Sequence, residues 1–596
     1  MFNRKYYVII AILILVFSLL SNGCSQEPTQ KPSHEHVFNM QTIADEYLKS
    51  EATCQSPAVY YYSCSCGEKG EETFEFSTKS THEYSAKIES AEYLKEEATC
   101  HSPAVYYKSC KWCGKKGTEI HTFTGNNCGN HDFSREKATD EYLKSEATKE
   151  SPAVYYKSCK WCGAKSELTF EYGEKLKDYT EEEKKAYKPI SLTLSLYDAE
   201  NSIYGFTYNT RNKPLKPVIQ IQKGNTLTEN CQEYTAEYSK YTSYNPDNST
   251  FNYYVVKAEI TLEQGATYTY RAYDKQVEVG TENATFTTKN TNATSFTFSH
   301  VSDSQTKASD HYAAGTGSFF AQTLSQITNS DFILHTGDVV EYGKYETYWT
   351  AILDDNFSYL SKIPVMAVSG NHEARYDGHS GTDETFKHFN YKLPTQSSTA
   401  NGIFYSFIYG NTKFIMINSE DLSGNALKAE QYTWLQNELA NNTCKWTIVA
   451  MHNPIYSVGK WGSDPSKNYI CLALRNQLQG LFNQYGVDLV LQGHDHAISR
   501  TFPINGQGLP QSENLITENG IEYSVSPSGV IYLMNGPAGN QALSPYATND
   551  ILYKYAQASY ARSWADFEID NDKITVTIKY FDGNNVNVYY SWGIKK

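Results

Sequence analysis

Two histidines one residue apart, His494 and His496, end the stretch LVLQGHDH. The apolar residues before them are typical of a buried strand, and the glycine allows a turn directly after it. On such a turn both imidazoles can point at one object, and neutral imidazole is a common metal ligand. The stretch therefore predicts a metal site, provided that other ligands complete it.

Candidate ligands follow other apolar runs in the same way. Asp303 ends FTFSHVS, Asp338 follows FILHTG, Asn371 and His372 follow AVSG, and His452 ends IVAM. With His372 set aside and the histidine pair included, they supply two carboxylates, one amide oxygen and three imidazoles. This mixed set is too large for one tetrahedral zinc ion and suits two ions such as iron, manganese or zinc.

The elements that carry these residues alternate in type. From residue 296 onward, strand-like runs such as FILHTGD and WTIVAMHNP alternate with helical stretches such as KAEQYTWLQNELA. This alternation predicts an α/β domain. The candidate ligands all fall just past a strand, at the carboxyl edge where open α/β sheets place their sites.

Residues 190–290 have a different pattern. Short alternating runs rich in Tyr, Thr and Val, such as IYGFTYNT and YYVVKAEITL, are separated by turn residues. They predict an all-β sandwich, which we interpret as a fibronectin-III-like module. A charged, helix-prone linker at 174–189 precedes it.

Three repeats occupy residues 35–173. The motif EYLK-x-EAT recurs at offsets of 46 and 49 residues, and a His-x-aromatic triplet precedes each copy. In every copy the histidine lies 18 residues before the position that follows EAT, and a cysteine lies 10 residues after that position. Histidine recurring in register with cysteine is typical of a metal site.

We interpret the repeats as small zinc-ribbon-like modules, each holding structural zinc. The candidate ligands are His36, Cys54, Cys64 and Cys66 in the first repeat, His82, Cys100, Cys110 and Cys113 in the second, and His131, Cys159 and Cys162 in the third. Lys149 replaces a cysteine in the third repeat, where Cys128 is a possible substitute. Disulfides are the alternative in an oxidising location. A closed four-ligand site predicts no catalysis.

The N-terminus predicts export. Basic MFNRK precedes an apolar run that is shorter than the ~20 residues a spanning helix needs. The following SNGC resembles a bacterial lipobox, which implies lipidation at Cys24, a signal peptide at 1–24 and a tether at 25–34. The expected location is extracytoplasmic, as a secreted lipoprotein anchored to the bacterial membrane at the cell surface. A net charge of −15 argues against nucleic-acid binding.

Five blocks in order, SDSQ, GDVVEYG, SGNHE, AMHNP and GHDH, resemble the motifs of the calcineurin-like metallophosphoesterases. The preceding sandwich, QYTWLQNEL and the closing WADFEIDNDKITVTIKYFDG are similar to the purple acid phosphatase branch. The resemblance implies an α/β metallophosphoesterase sandwich core at 291–545 and a C-terminal β segment at 546–596. It covers about residues 190–596.

The resemblance also implies roles. Asp338 would bridge two metal ions, Asp303 and His496 would bind one, and Asn371, His452 and His494 would bind the other. His372 would face the substrate as a catalytic group and protonate the leaving group. The implied reaction is in-line attack on a phosphate ester by a hydroxide held between the ions.

Two positions depart from the family pattern. Purple enzymes carry a tyrosine three residues after the bridging aspartate, but Glu341 stands there and Tyr342 is one residue late. Gln305 stands two residues after Asp303, and its amide oxygen can replace a missing ligand. We therefore predict an enzyme without the purple colour and leave the metal pair open.

The leading functional interpretation is a dimetal, acid phosphatase-like hydrolase of phosphomonoesters. One alternative is a phosphodiesterase or nucleotidase that uses the same site, because fold does not choose among these activities. Another is a surface-binding protein whose repeats carry the main role. The partner of the repeats is not readable from the sequence.

Overall fold

The computed structural model describes residues 35–97, 102–123, 131–305, 318–374, 384–395, 397, 403–541, 551–560 and 562–596. The predicted signal peptide, tether and lipidated Cys24 lie outside these residues, as do Cys100 and Cys128. The chain forms two compact units, Met1–Leu176 and Lys177–Lys596. Among the described residues, none of the helices has both the length and the apolar character needed to cross a membrane.

Each repeat in the first unit is a short 3-10 turn followed by a three-stranded antiparallel sheet. The turns are Asp45–Tyr47, Ala91–Tyr93 and Asp140–Tyr142. The strands are β1 (Leu48–Ser50), β2 (Ala58–Ser63), β3 (Lys69–Phe76), β4 (Leu94–Glu96), β5 (Val105–Ser109), β6 (Lys116–Thr122), β7 (Leu143–Ser145), β8 (Ala153–Ser158) and β9 (Lys165–Tyr172).

The repeats bury little apolar surface. In the first repeat the buried apolar side chains of the described residues are those of Tyr47, Ala58, Cys64 and Phe74. The Tyr47 hydroxyl donates to the Gly67 carbonyl at 2.8 Å, and the tyrosines at the equivalent positions of the other repeats do the same. A core of this size is marginal for independent folding and needs a further constraint.

The second unit begins with helix α1 (Glu181–Lys185), which forms within the predicted linker. The Thr180 side chain accepts from the Glu183 backbone N–H, and the Glu183 carboxylate accepts from the Thr180 N–H. This reciprocal capping box satisfies two backbone donors at the helix start, which explains why so short a helix forms here.

A β-sandwich follows, as the alternating pattern predicts. Its strands are β10 (Ile190–Asp198), β11 (Ile203–Thr210), β12 (Pro217–Lys223), β13 (Gln232–Thr235), β14 (Glu237–Tyr244), β15 (Thr250–Thr261), β16 (Thr267–Asp274), β17 (Val279–Gly280) and β18 (Ala284–Thr287). One sheet has the order β10-β11-β15-β14, and the other has β13-β12-β16, with β17 and β18 both pairing with β16. Phe206, Tyr270 and Phe286 pack edge to face in the core between them.

The rest of the unit is built on two larger sheets. Its strands are β19 (Phe296–Val301), β20 (Phe332–His335), β21 (Val365–Ala367), β22 (Tyr405–Tyr409), β23 (Thr412–Met416), β24 (Leu422–Ser423), β25 (Ala426–Leu427), β26 (Trp446–Met451), β27 (Leu489–Gln492), β28 (Ile498–Thr501), β29 (Leu515–Glu518), β30 (Ile521–Val525), β31 (Ile531–Asn535), β32 (Tyr553–Gln557), β33 (Ser563–Ile569), β34 (Lys573–Phe581) and β35 (Val586–Lys595).

The helices of this region are α2 (Ser318–Leu324), α3 (Glu346–Asp355), α4 (Phe357–Leu360), α5 (Asn371–Ala374), α6 (Ala429–Ala440), α7 (Lys460–Ser463) and α8 (Tyr469–Gln484). One sheet has the order β21-β20-β19-β33-β34-β35-β30-β29, and the other has β22-β23-β26-β27-β31-β28-β32. Strands β19 to β21 are parallel, and so are β23, β26, β27 and β31.

The expected C-terminal β segment at 546–596 consists of strands that belong to the core. Strand β33 pairs antiparallel with β19, with Phe298 opposite Phe567, and their rings stack with centroids 4.4 Å apart. Trp564 and Phe567 are fully buried. The last strands therefore complete the first sheet, because β19 would otherwise be an edge strand with apolar side chains exposed.

The parallel strands fix where the candidate site forms. Asp303 follows β19 and Asp338 follows β20 in the first sheet, whereas His452 follows β26 and His494 follows β27 in the second. Within each sheet the carboxyl ends of parallel strands share one edge. The two edges meet, because the His494 N–H after β27 donates to Asp303 after β19.

Candidate active site

Asp303 and His496 form one side of the site. The His496 Nε2 lies 3.2 Å from Asp303 Oδ1, and the His494 backbone N–H donates to both Asp303 carboxylate oxygens at 3.1 Å. Asp303 is buried. The turn after β27 is thus held to the turn after β19 by contacts with this carboxylate.

Asp338, Asn371, His452 and His494 form the other side. The His452 Nε2 lies 3.2 Å from Asp338 Oδ2 and 3.0 Å from Asn371 Oδ1. One ligand-type atom each from Asp338, His452 and His494 falls within a 4.8 Å cluster. The structure brings together all six residues predicted as ligands, and their assignment to two metal ions stays a prediction.

The His452 ring is oriented for ligation by its other nitrogen. Its Nδ1 lies 2.8 Å from the Thr336 carbonyl oxygen, so Nδ1–H donates there and Nε2 faces the site. Such a hydrogen bond fixes the tautomer of a metal-binding histidine.

Four of these residues adopt a strained backbone. Asp303, Asp338, His494 and His496 have φ of 52°, 54°, 75° and 35°, which non-glycine residues rarely adopt. Strain of this kind persists where surrounding structure imposes it and clusters at functional sites.

The glycines of the motifs allow these loops to approach closely. A Cβ at Gly370 would lie 2.1 Å from Asp338 Oδ1, and one at Gly493 would lie 2.2 Å from Ser302 Oγ. A side chain at either position would separate the loops that carry the candidate ligands.

Sequence reasoning assigned no role to Glu373, which links two of the loops. Its carboxylate accepts from the backbone N–H groups of Asp338, Val340 and Gly370 at 2.9, 3.1 and 2.7 Å. Glu373 therefore holds the loop after β20 against the loop after β21. Its position next to the histidine in SGNHE is the only signal that could have indicated it.

Asp495, between the two histidines, was also missed. Its carboxylate accepts from the Trp461 and Gly462 backbone N–H groups at 2.8 and 2.7 Å. This contact fixes α7 beside the site and sets the Trp461 ring 5.6 Å from the His494 ring, between centroids. The Trp461 side chain remains 37% exposed.

Burial and neighbouring charges shift the pKa values of Asp338, His452 and His494. Burial disfavours ionisation, but the facing imidazole of His452 holds the pKa of Asp338 well below its usual range. Burial also opposes protonation of His452, yet Asp338 raises the pKa of this histidine to about 10. Burial and His452 lower the pKa of His494 to about 3. Buried carboxylates beside a neutral imidazole form a site that a cation would stabilise.

The donor set fits a pair of metal ions. It combines carboxylate oxygens, an amide oxygen and imidazole nitrogens, as iron, manganese and zinc accept. Gln305 is fully buried, and its Oε1 has no hydrogen-bond partner among the described residues, while its Nε2 donates to Asp338 Oδ2 at 3.3 Å. An orphaned amide oxygen at this place fits the additional ligand predicted for Gln305.

His372 lies beside the candidate ligands rather than among them. Its Nδ1–H donates to the Glu341 carbonyl oxygen, with the atoms 2.6 Å apart, and its Nε2 lies 3.8 Å from Asp338 Oδ2. Burial lowers the pKa of His372, but Asp338 and the Glu341 carbonyl outweigh it and raise the pKa above its ordinary value. A protonated Nε2 can therefore face a substrate.

The position of the missing tyrosine is filled by Glu341, whose Oε2 accepts from Gln541 Nε2 at 3.2 Å. The Tyr342 ring packs edge to face on Tyr345 and Tyr348, against the hydrophobic core. Tyr342 comes one residue after the position at which purple enzymes carry their tyrosine. Its ring therefore points into an aromatic cluster.

In the first unit, three clusters of His and Cys occur among the described residues. They are His36 with Cys64 and Cys66, His131 with Cys159 and Cys162, and Cys54 with His82, Cys110 and Cys113. Cys54 therefore differs from its expected grouping within the first repeat, because its turn faces the second repeat. In the third repeat the Cys162 sulfur lies 3.5 Å from His131 Nδ1.

Comparison with known proteins finds similarity over the region of the chain that contains the candidate ligands. Residues 296–497 match the family model of calcineurin-like phosphoesterases. An uncharacterized protein of Mycobacterium tuberculosis is 28% identical over 235 residues, covering 37% of this chain and 43% of the relative. Purple acid phosphatase 15 of Arabidopsis thaliana is 26% identical over 199 residues, covering 33% of this chain and 32% of the relative.

The solved structure of a purple acid phosphatase from yellow lupin (Lupinus luteus) seeds has a TM-score of 0.54 at 17% identity. The match covers 69% of this chain and 74% of that chain, and it concerns the fold alone. The chain spans about a third to a half of the length of the curated relatives it matches. The family match and these relatives support a metal-dependent phosphoester hydrolase.

Proposed function

We propose that this chain, whose residues 296–497 form a calcineurin-like phosphoesterase domain, is an extracytoplasmic dimetal phosphohydrolase acting on phosphomonoesters. One observation carries the proposal: Asp303 and Asp338, each paired with imidazoles at 3.2 Å, converge with Asn371 and the His494–His496 turn at one sheet edge. The fibronectin-III-like assignment of the sandwich, the zinc-ribbon-like assignment of the repeats and anchoring through Cys24 belong to the same proposal.

Asp303, His496 and Gln305 would hold one ion, Asn371, His452 and His494 the other, and Asp338 both. A bound metal pair supplies Lewis acidity toward phosphate oxygens and lowers the pKa of water. The chain contributes the remaining chemistry. The Thr336 carbonyl accepts from the His452 Nδ1–H and so turns Nε2 toward the ligand cluster, and Glu373 keeps the loops of Asp338 and Asn371 together.

His372 would donate the proton to the leaving alkoxide. Its Nδ1–H is committed to the Glu341 carbonyl, so only Nε2 can face the phosphate ester. General-acid donation by a positioned imidazole contributes roughly 10²–10⁴ in rate. No group of the protein needs to become phosphorylated in this scheme.

A phosphodiesterase or nucleotidase activity at the same site is the second candidate. The partly exposed Trp461 ring beside His494 favours substrates that carry an aromatic group or a base. The ring could stack on that group while the phosphate binds at the ligand cluster.

The proposal is tested by phosphate release from the purified protein with added Mn, Fe or Zn. An aryl phosphate and an aryl phosphodiester are compared, and the better substrate chooses between the two candidate functions. Asp338→Ala should abolish turnover of both, because it removes the carboxylate shared by the two ligand groups.

Asp572→Ala is the matched control, since this exposed carboxylate pairs with Lys445 at 2.9 Å in the same domain. It should leave the rate unchanged. Metal-replete protein that hydrolyses neither ester, or an Asp338→Ala protein that remains active, would contradict the proposal.

We also propose that the enzyme lacks the purple colour. Glu341 stands at the tyrosine position and the Tyr342 ring packs in an aromatic cluster, which supports the absence of a tyrosine–iron bond. The visible absorption spectrum of the iron-loaded protein checks this, and an intense phenolate-to-iron band would contradict it.

A further inference from the structure

The His/Cys cluster of the second repeat includes a residue of the preceding repeat. Cys54 belongs to the first repeat, whereas His82, Cys110 and Cys113 belong to the second. One ligand-type atom from each of the four side chains lies within 4.8 Å of the others. The cluster therefore joins residues from two sheets, one formed by β1–β3 and the other by β4–β6.

The distances within this cluster suit a shared tetrahedral ion. The Cys54 and Cys110 sulfurs are 3.5 Å apart, and the Cys113 sulfur lies 3.4 Å from His82 Nδ1. Sulfurs at ~2.3 Å from a tetrahedral zinc ion lie ~3.7 Å from each other. A disulfide would hold two sulfurs ~2.05 Å apart. The four side chains are thus spaced as ligands around a cation, with no sulfur pair of the cluster at bonding distance.

A hydrogen-bonded turn holds Cys54 beside the second repeat. Thr53 Oγ1 accepts from the Gln55 and Ser56 backbone N–H groups at 3.1 and 3.0 Å, which closes the turn around Cys54. The Ser80 N–H, just before His82, donates to the Thr53 carbonyl at 3.0 Å. The chain that enters the second repeat is therefore fixed against the turn that carries the cysteine.

The third repeat has the same turn without the cysteine. Thr148 Oγ1 accepts from the Glu150 and Ser151 N–H groups at 3.2 and 3.0 Å, and the Leu176 N–H donates to the Thr148 carbonyl at 2.8 Å. Lys149 stands where Cys54 stands in the first repeat. The compact unit ends at Leu176, and no fourth His/Cys motif follows in the sequence. The cysteine is absent where no next repeat exists to receive it.

We propose that a zinc ion bound by Cys54, His82, Cys110 and Cys113 staples the first repeat to the second. The staple compensates for the small cores of the repeats, because folding and metal binding are coupled in domains of this size. The shared ion joins the two repeats into one rigid body, so that they do not move as independent modules. This inference is independent of the proposed hydrolase function.

Residue-by-residue alkylation tests the ligand set. The purified zinc-loaded protein is treated with N-ethylmaleimide, with and without a chelator, and each cysteine is quantified by peptide mass spectrometry. Without chelator, Cys54, Cys110 and Cys113 should be protected, and the chelator should remove the protection of all three together.

A matched pair of histidine variants separates the two possible groupings. His82→Ala should expose Cys54, Cys110 and Cys113 and leave Cys64 and Cys66 as in the unsubstituted protein. His36→Ala should leave Cys54 protected. Exposure of Cys54 in His36→Ala would overturn the staple in favour of sites within single repeats.

A matched pair of cysteine variants keeps the test decisive if His82→Ala does not fold. Cys54→Ser, which the Thr53–Ser56 turn accommodates, should lose one zinc ion per chain and expose Cys110 and Cys113. Cys100→Ser should leave those two cysteines protected. The reverse result, or protection of Cys54 that only a reductant removes, would overturn the proposal.

Discussion

At the scale of single residues, the neighbours Asn371 and His372 contact different partners at the site. Asn371 points an amide oxygen at His452, whereas the His372 ring is held away by the Glu341 carbonyl with Nε2 3.8 Å from Asp338. Asn371 and His372 are adjacent at the start of α5 but contact different partners, because successive helical side chains point in different directions.

Replacing His372 by alanine should slow hydrolysis according to the leaving group. For an alkyl phosphate, whose alkoxide needs a proton, we expect kcat to fall by roughly 10²–10⁴. For a nitrophenyl phosphate, whose leaving group is stable without a proton, the loss should be much smaller. Steady-state rates on both esters measure this, with bound metal determined in parallel.

Metal content is the control, since His372 lies outside both ligand groups and the variant should retain its ions. Equal losses on the two esters, with metal retained, would contradict a general-acid role.

At the scale of elements, short loops after parallel strands position the candidate ligands, and buried carboxylates hold these loops together. Glu373 links the loops after β20 and β21, and Asp495 links the turn after β27 to α7. Neither side chain needs to touch a substrate to affect the site. Both act by satisfying backbone N–H groups that would otherwise be unpaired near the ligand cluster.

Helix α7 carries the feature that we expect to control specificity. Trp461 is exposed beside His494, and the Nζ atoms of Lys460 and Lys467 each lie 5.7 Å from its ring centroid. An aromatic face flanked by ammonium groups suits a substrate that combines a ring with negative charge.

Trp461→Ala should raise KM for an aryl phosphate by roughly tenfold, since losing a stacking partner costs ~1–3 kcal/mol. The KM for a simple alkyl phosphate should change little, and Trp461→Phe should restore most of the aryl preference. KM and kcat for both esters in the three proteins measure this. A parallel rise of KM for the alkyl ester would show that Trp461 supports the site without selecting the substrate.

At the scale of the second unit, the sandwich and the α/β core share a buried polar contact. The Asn209 amide on β11 donates to Glu346 Oε1 at 2.7 Å, and His388 Nε2 lies 3.4 Å from Glu346 Oε2. Burial raises the pKa of Glu346 to about 8, and burial with Lys387 holds the pKa of His388 well below its ordinary value. A protonated Glu346 beside a neutral His388 leaves this buried contact without net charge.

This contact should make the stability of the protein depend on pH. The Glu346 carboxyl ionises near 4.5 in the unfolded chain but keeps its proton to about 8 in the folded one. Between these values Glu346 binds more protons in the folded state, so its contribution to the free energy of unfolding falls as pH rises. Glu346→Gln, which cannot ionise, should become more stable relative to the unsubstituted protein between pH 5 and pH 8, by a few kcal/mol.

Urea denaturation of both proteins at several pH values measures this difference. Glu233→Gln serves as the control, because Glu233 forms a partly exposed salt bridge with Lys275. A constant difference between Glu346→Gln and the unsubstituted protein across the range would contradict the role of Glu346.

Much of this molecule could be predicted from local sequence. The alternation of apolar residues predicts the sandwich and the α/β core, and the residues after the strands predict the six candidate ligands. These features are readable because periodicity and strand ends are properties of a few neighbouring residues. The regular spacing of His and Cys in the repeats likewise predicts metal-ligand chemistry.

Other features were decided only by tertiary structure, because they depend on which distant segments meet. The pairing of β33 with β19 places the C-terminal segment inside the core. The hydrogen bonds of the Glu373 and Asp495 carboxylates join loops that are far apart in the chain. The repeat pattern assigns Cys54 to its own repeat, but in the structure it lies with His82, Cys110 and Cys113 of the next one. The turn at Thr53 directs it to the next repeat, since spacing along a chain does not specify the direction of a side chain.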